Sequence, residues 1–181
     1  MASARGIVKW NRLKRQVELH LKSDRTAFVT TFIDLYGLRK KHQFPGFIGA
    51  DIETSKVRVE AIEKGMTDDL DDDITYRFHP YIQLHEFEAL LFADVGVITA
   101  NFADEIKDTG ALERIVAEYP NPEDINDSFA TAPSKRLERI VPDYDKVVYG
   151  AMLAEEIGME RLLERCPRFR GWVERLCREG A

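Results

Sequence analysis

The sequence predicts an α/β domain with few strands and many helices, on three observations. Two stretches, AFVTTFIDLYG (27–37) and ITYRFHPYIQL (74–84), are rich in β-branched and aromatic residues, the composition of strands. From Val95 onward the apolar residues recur almost wholly at helical spacing. The chain of 181 residues is 44% hydrophobic, enough to close one core, and neither a repeat, a low-complexity tract nor a linker divides it. The reading is therefore a single domain over 1–181, with a sheet, helices packed on its faces and a helical C-terminal part.

The elements follow in order. In IVKWNRLKRQVELHLK, Ile7, Trp10, Leu13, Val17 and Leu21 share one face of a helix, and basic residues cover the other. AFVTTFIDLYG reads as a buried strand with Asp34 at its C-terminal end. RKKHQFPGFIGADIET is a loop punctuated by Pro45, Gly46 and Gly49. TSKVRVEAIEKGM is a helix capped by Thr54 or Ser55. Asp68 to Asp73 holds five aspartates without the Gly and Glu spacing of a calcium loop, so it reads as a self-repelling, solvated, mobile loop. In the second strand, Pro80 marks an irregularity or an edge. The helix EFEALLFA follows, then the helix DTGALERIVAEY and the turn PNPEDIND. TAPSKRLERIV takes Thr131 as its N-cap with Pro133 in the first turn. DYDKVVYGAMLAEEIG ends at Gly158, a C-cap signal. The helices MERLLERC and PRFRGWVERLC close the chain, with Phe169 and Trp172 packing back on the body.

Composition excludes several classes. No apolar run approaches the ~20 residues of a membrane span. The start MASARGIVKW lacks the apolar stretch of a secretory signal, so the expected location is the cytoplasm. Cys166 and Cys177 have no second pair or His cluster to complete a zinc site, and read as free thiols. The net charge of −6 conceals an asymmetry: residues 1–45 carry ten Lys/Arg and three acids, net +7, leaving −13 for the rest. Such a basic end suits a phosphate-bearing partner as well as an ordinary solvated helix. Lys9, Arg12, Lys14 and Arg15 are its candidate nucleic-acid contacts.

The segment PYIQLHEFEALLFAD (80–94) places His85, Glu86 and Glu88 where a strand turns into a helix. Functional groups of open α/β sheets gather beyond the C-terminal strand ends, and Asp34 and Glu86 both sit there. Within a helix, Glu86 and Glu88 would point about 200° apart. They can converge only if the backbone is still extended at Glu86 and the helix begins near Phe87. Three carboxylates, Asp34, Glu86 and Glu88, then suit Mg²⁺ or Mn²⁺, with His85 at the rim. The same acids also suit the positive end of a helix dipole, and spacing alone does not choose. TAPSKRL adds Ser134, Lys135 and Arg136 at a helix start, where free N–H groups and cations can hold a phosphate or simply cap a helix.

TTFIDLYGL, FPG, PYIQLHEFEALLFAD, NPEDIND, TAPSKRL and CPRFRGW, in this order and spanning Thr30 to Trp172, resemble the bacterial family called domain of unknown function 4276. Members look like Toprim proteins, the metal-binding fold of topoisomerases, primases and related nucleases. The resemblance implies a Rossmann-like sheet and Mg²⁺-dependent cleavage of nucleic acid, in some relatives beside an ATPase in a defence cluster. Residue by residue, Asp34 matches the acid after the central strand, Glu86 and Glu88 match the later acidic pair, and Lys135 matches a phosphate-contacting lysine. Two departures stand out. Toprim proteins show Asp-x-Asp where this chain has Tyr36, and relatives begin with a strand whose glutamate is a general acid/base or metal ligand. The chain starts in its first helix and looks short at that end, which would expose a sheet edge to a second copy. Two functions therefore compete: a metal-dependent nuclease, and a catalytically degenerate binding partner that keeps the fold. A small-molecule phosphotransferase finds no Gly-rich phosphate loop.

Overall fold

The computed structural model describes residues 8–48, 54–126 and 129–180, so Ile7, Gly49 and Asp127 lie outside the described residues. The chain is mixed α/β but mostly helical. It forms two compact units: residues 1–84 together with 176–181, and residues 85–175.

The first unit opens with α1 (Trp10–Ser23), whose buried Trp10, Val17 and Leu21 are the apolar face read from the sequence. The predicted strand at 27–37 is broken into β1 (Val29–Thr30) and β2 (Ile33–Asp34). It is not a buried strand throughout, because Phe28 and Phe32 are exposed. After α2 (Ser55–Asp68) come β3 (Phe78–His79) and β4 (Ile82–Gln83). β1 pairs with β3 and β2 with β4, both parallel, with Val29 opposite Phe78 and Ile33 opposite Ile82. The gap has a chemical cause in Pro80, which has no N–H to give to a ladder. Beside it, the Thr31 hydroxyl substitutes for backbone: it accepts from the Tyr81 N–H at 3.1 Å and lies 3.3 Å from the Tyr81 carbonyl. Among the described residues β structure is confined to these two pairs.

α2 begins as the sequence predicts, with the Thr54 hydroxyl accepting from the Val57 N–H. Its Gly65 lies against Pro45, and Gly46 (φ +70°) against the Ala61 carbonyl; a Cβ on Gly46 would sit 2.0 Å from that oxygen. The FPG motif is thus a close approach of loop to helix backbone. Leu35, Leu38, Phe44, Val59, Ile62, Met66 and Phe78 join α1 in one core.

The aspartate run is not the self-repelling loop expected from its charges. Asp69 accepts from the Trp10 indole N–H at 2.7 Å and pairs with Lys14 at 3.1 Å, and Asp71 pairs with Lys22 at 2.5 Å. Leu70 between them is buried. The loop fastens to the cationic face of α1.

In the second unit, the predicted helix EFEALLFA is a 3-10 helix over Phe87–Ala93. α3 (Val95–Asn101), α4 (Ala111–Glu118), α5 (Pro133–Ile140) and α6 (Lys146–Arg165) follow. α6 is interrupted at Gly158 (φ 78°, ψ 153°), where the sequence places a helix end. Gly150 of α6 gives close access to the Phe87 ring, a Cβ there being 3.6 Å from it. α7 (Pro167–Glu179) carries Phe169, buried and tilted against Trp172. Its first turn is held by Glu123, fully buried, whose carboxylate accepts from the Arg168 and Phe169 N–H groups at 2.7 and 3.1 Å.

Candidate functional site

The strand-to-helix junction is built by one unusual residue. His85 has φ +62°, a left-handed conformation that costs a residue with a Cβ about 1 kcal/mol or more. Glu86 after it is extended (φ −139°, ψ 157°), and the 3-10 helix starts at Phe87. The backbone therefore does at Glu86 what convergence of the two glutamates requires.

The side chains then take different roles. One oxygen of Glu86 accepts from the Ser134 backbone N–H at 3.1 Å. This replaces the cap expected from Thr131: the N-cap of α5 is Ala132, which has no acceptor, and Pro133 follows it. A carboxylate from another segment thus occupies the positive end of α5. Glu88 is only 3% exposed. Burial pushes its pKa up, Glu86 and Glu138 push the same way, and its own backbone and the Lys146 ammonium oppose them. Tyr144 is buried, and among the described residues its hydroxyl has no hydrogen-bond partner. Burial first, and the negative charge of Glu88 second, raise its pKa, so this phenol stays protonated.

His85 is not at a rim but 7% exposed, with its Nδ1 3.0 Å from the Asn126 side-chain nitrogen. An amide donor at that distance makes Nδ1 the acceptor and puts the ring proton on Nε2. Lys135 pairs along its own helix with Glu138 at 2.5 Å, rather than reaching out to a phosphate. Arg136 lies 5.2 Å over the Tyr119 ring and donates to the Thr131 carbonyl. Ser134 is buried. Asp34 ends β2 in the first unit, half-buried and extended, and starts a 3-10 turn at Leu35 without capping it. Lys9 just before α1 and Arg12 and Arg15 on it are exposed, whereas Lys14 is engaged by Asp69 and Glu18. Among the described residues no group of three or more His, Cys, Asp or Glu side chains is placed to hold a metal ion. Cys166 is buried and its thiol is pushed up to about 12, which leaves it without nucleophilic character at neutral pH.

Sequence reasoning missed Tyr144, Glu138 and Lys146 around Glu88. No spacing signals them, since they come from α5, the turn after it and the start of α6. It also missed the role of Glu123, although NPEDIND drew attention as a turn.

The family model for a domain of unknown function (DUF4276) matches residues 1–177. The chain belongs to that family. No curated protein and no solved structure matches it significantly. Conspicuous residues in and between the motifs from TTFIDLYGL to CPRFRGW have physical roles in the structure. Gly46 permits a close approach, Glu86 caps α5, Glu123 caps α7, and Ser134 supplies the N–H that Glu86 receives. Among the described residues, no helix is long and apolar enough to cross a membrane.

Proposed function

We propose that this member of the family is a Toprim-like cytoplasmic protein that acts on nucleic-acid phosphodiesters with a divalent cation, working with an ATPase partner. The observation that carries the reading is Glu88. A carboxyl buried to 3% exposure beside the like charge of Glu86, with the Tyr144 hydroxyl unpartnered among the described residues, is costly to ionise. Costly groups of this kind concentrate where chemistry needs them.

The donor set fits a hard cation in part. Mg²⁺ is commonly held by one or two carboxylates, with water and substrate phosphate completing the octahedron, and Glu88 and Glu86 are two such oxygen donors. When bound, such an ion neutralises phosphate oxygens and activates water. The chain's own contributions are separate. The Tyr144 hydroxyl, held protonated, is a donor for an anionic oxygen, and Lys146 lowers the cost of ionising Glu88. Asp34 and Lys135 are further residues that the family resemblance assigns to metal or phosphate, and the charge asymmetry adds Lys9, Arg12, Lys14 and Arg15 as nucleic-acid contacts.

Thermal melting with and without Mn²⁺ tests the ion. At a hundredfold excess over the dissociation constant, a ligand stabilises by roughly 2.7 kcal/mol. That gain should vanish in Glu88→Gln and persist in a surface control such as Glu113→Gln. Cleavage of labelled DNA and RNA with Mn²⁺ tests the activity. A second reading, a binding protein without cleavage, is favoured by a specific pair of contacts: Glu86 already serves Ser134, and Lys135 already serves Glu138. It gains if nucleic acid binds with a steep salt dependence while Mn²⁺ shifts no melt and no strand is cut.

A further inference from the structure

A polar cleft lies wholly within the first unit, and none of the residues assigned above lines it. It has a volume of about 320 Å³ and is floored by Leu21 and Ile74, both buried. Its walls are Lys22, Arg25, Tyr76 and Arg77, with Asp73 the one acid among them. Three cations against one carboxylate give a net positive lining.

The cations differ in availability. Arg77 is 5% exposed, and its two terminal nitrogens donate to the carbonyls of Asp24, Ala27 and Leu21. Among the described residues its buried Nε has no hydrogen-bond partner and the guanidinium forms no ion pair within 4 Å. This is a fixed positive charge hydrogen-bonded to neutral acceptors, with the exposed Asp24 carboxylate close enough to feel it. Neutral carbonyls orient such a group but leave its charge to act on whatever enters the cleft. Lys22 is engaged by Asp71 at the edge. Arg25 is exposed and makes no hydrogen bond or ion pair among the described residues. Tyr76 is 65% exposed, with the Arg77 guanidinium 5.5 Å from its ring centroid. An aromatic ring left open to water, stiffened by a cation and next to free positive charge, is the pairing used to stack a base and hold its phosphate.

We propose that this cleft binds a nucleoside phosphate, with the base stacked on Tyr76 and the phosphate held by Arg25 in the field of Arg77. The ligand is either a free mononucleotide or one nucleotide of a single strand. The site needs no divalent cation, so it stands or falls separately from the Glu86–Glu88 reading.

The test is binding in EDTA at low salt, using adenosine 5′-monophosphate, a fluorescein-labelled oligo-dA and inorganic phosphate as three probes. Calorimetry serves the small probes and anisotropy the strand. Saturable binding of a nucleotide probe is expected, tighter than inorganic phosphate, with the free or strand form preferred identifying the source. Tyr76→Ala should weaken it about fivefold or more, the low end of base–aromatic stacking. Arg25→Ala should weaken it as well. Asp73→Asn should tighten it, a change that no loss of folding imitates. Three results overturn the proposal: no nucleotide binding, inorganic phosphate binding as tightly as the nucleotide, or affinities unmoved by all three variants.

Discussion

Removing the acceptor at Glu86 isolates its bond to Ser134. Glu86→Ala takes away both the charge and the oxygen; Glu86→Gln keeps an oxygen in place and takes only the charge. An N-terminal acceptor contributes about 1 kcal/mol to a helix. A carboxylate at the positive end of a dipole contributes a further ~0.3–1 kcal/mol. Ala132 cannot substitute as a cap and Pro133 has no N–H to satisfy, so Glu86 is the side chain that serves the start of α5. Both variants also relieve the repulsion with Glu88, by the same amount, so that contribution cancels in their difference. The expected gap between them is the acceptor alone, about 1 kcal/mol, which in a chain of this size is ~2–4 °C in melting temperature. The assay is thermal melting of parent and both variants in metal-free buffer, followed by circular dichroism. Equal melting of Glu86→Ala and Glu86→Gln, or an alanine variant more stable than the glutamine one, would refute the capping role. Glu86 would then be free to serve a cation alone.

Ionising Glu88 should cost the molecule stability. Its folded pKa lies above the unfolded one, so between the two values the folded chain holds the extra proton. Stability is full below the ordinary glutamate pKa, falls as pH rises toward the folded pKa, and is flat above it. Glu88→Gln should remove that fall, and urea unfolding across a pH series should show the two curves separating in that window; parallel curves would count against a buried, charged Glu88. Gly46→Ala combines a positive φ with a Cβ 2.0 Å from the Ala61 carbonyl, and should cost about 3 kcal/mol by denaturant unfolding. An unchanged midpoint would mean that the FPG loop does not seat on α2. Glu123→Ala strips a charged acceptor from two N–H groups at the start of α7, and should cost about 2 kcal/mol. Glu123→Gln should recover part of this, and amide exchange at Arg168 and Phe169 should quicken in the alanine variant.

Features set by local chemistry were legible in the sequence. Helix α1 follows from apolar spacing, Thr54 caps α2 as its type predicts, Gly158 interrupts α6, and Pro80 marks the break in the second strand. The extended backbone at Glu86 followed from asking how two acids two residues apart can converge. The failures share a different cause. The aspartate run looked self-repelling because its partners Trp10, Lys14 and Lys22 are some fifty residues earlier. Thr131 looked like a cap because nothing in TAPSKRL reveals that Glu86 supplies the acceptor instead. The first strand looked continuous because the gap in it is imposed by Pro80 on its partner. Each error comes from a contact distant in sequence, which a reading of local pattern does not contain.

The first unit is not a continuous stretch of chain: residues 176–181 belong with residues 1–84. One contact shows what this return does, the pairing of the buried His79 ring with Glu179 in the last turn of α7. His79 ends β3 and stacks against Phe28, so the sheet end and the chain's last helical turn meet at one imidazole. During synthesis this corner waits for Glu179, so the sheet end that is made first is closed last. A released fragment ending before Glu179 should show faster amide exchange at Phe78 and His79 than the 181-residue chain does.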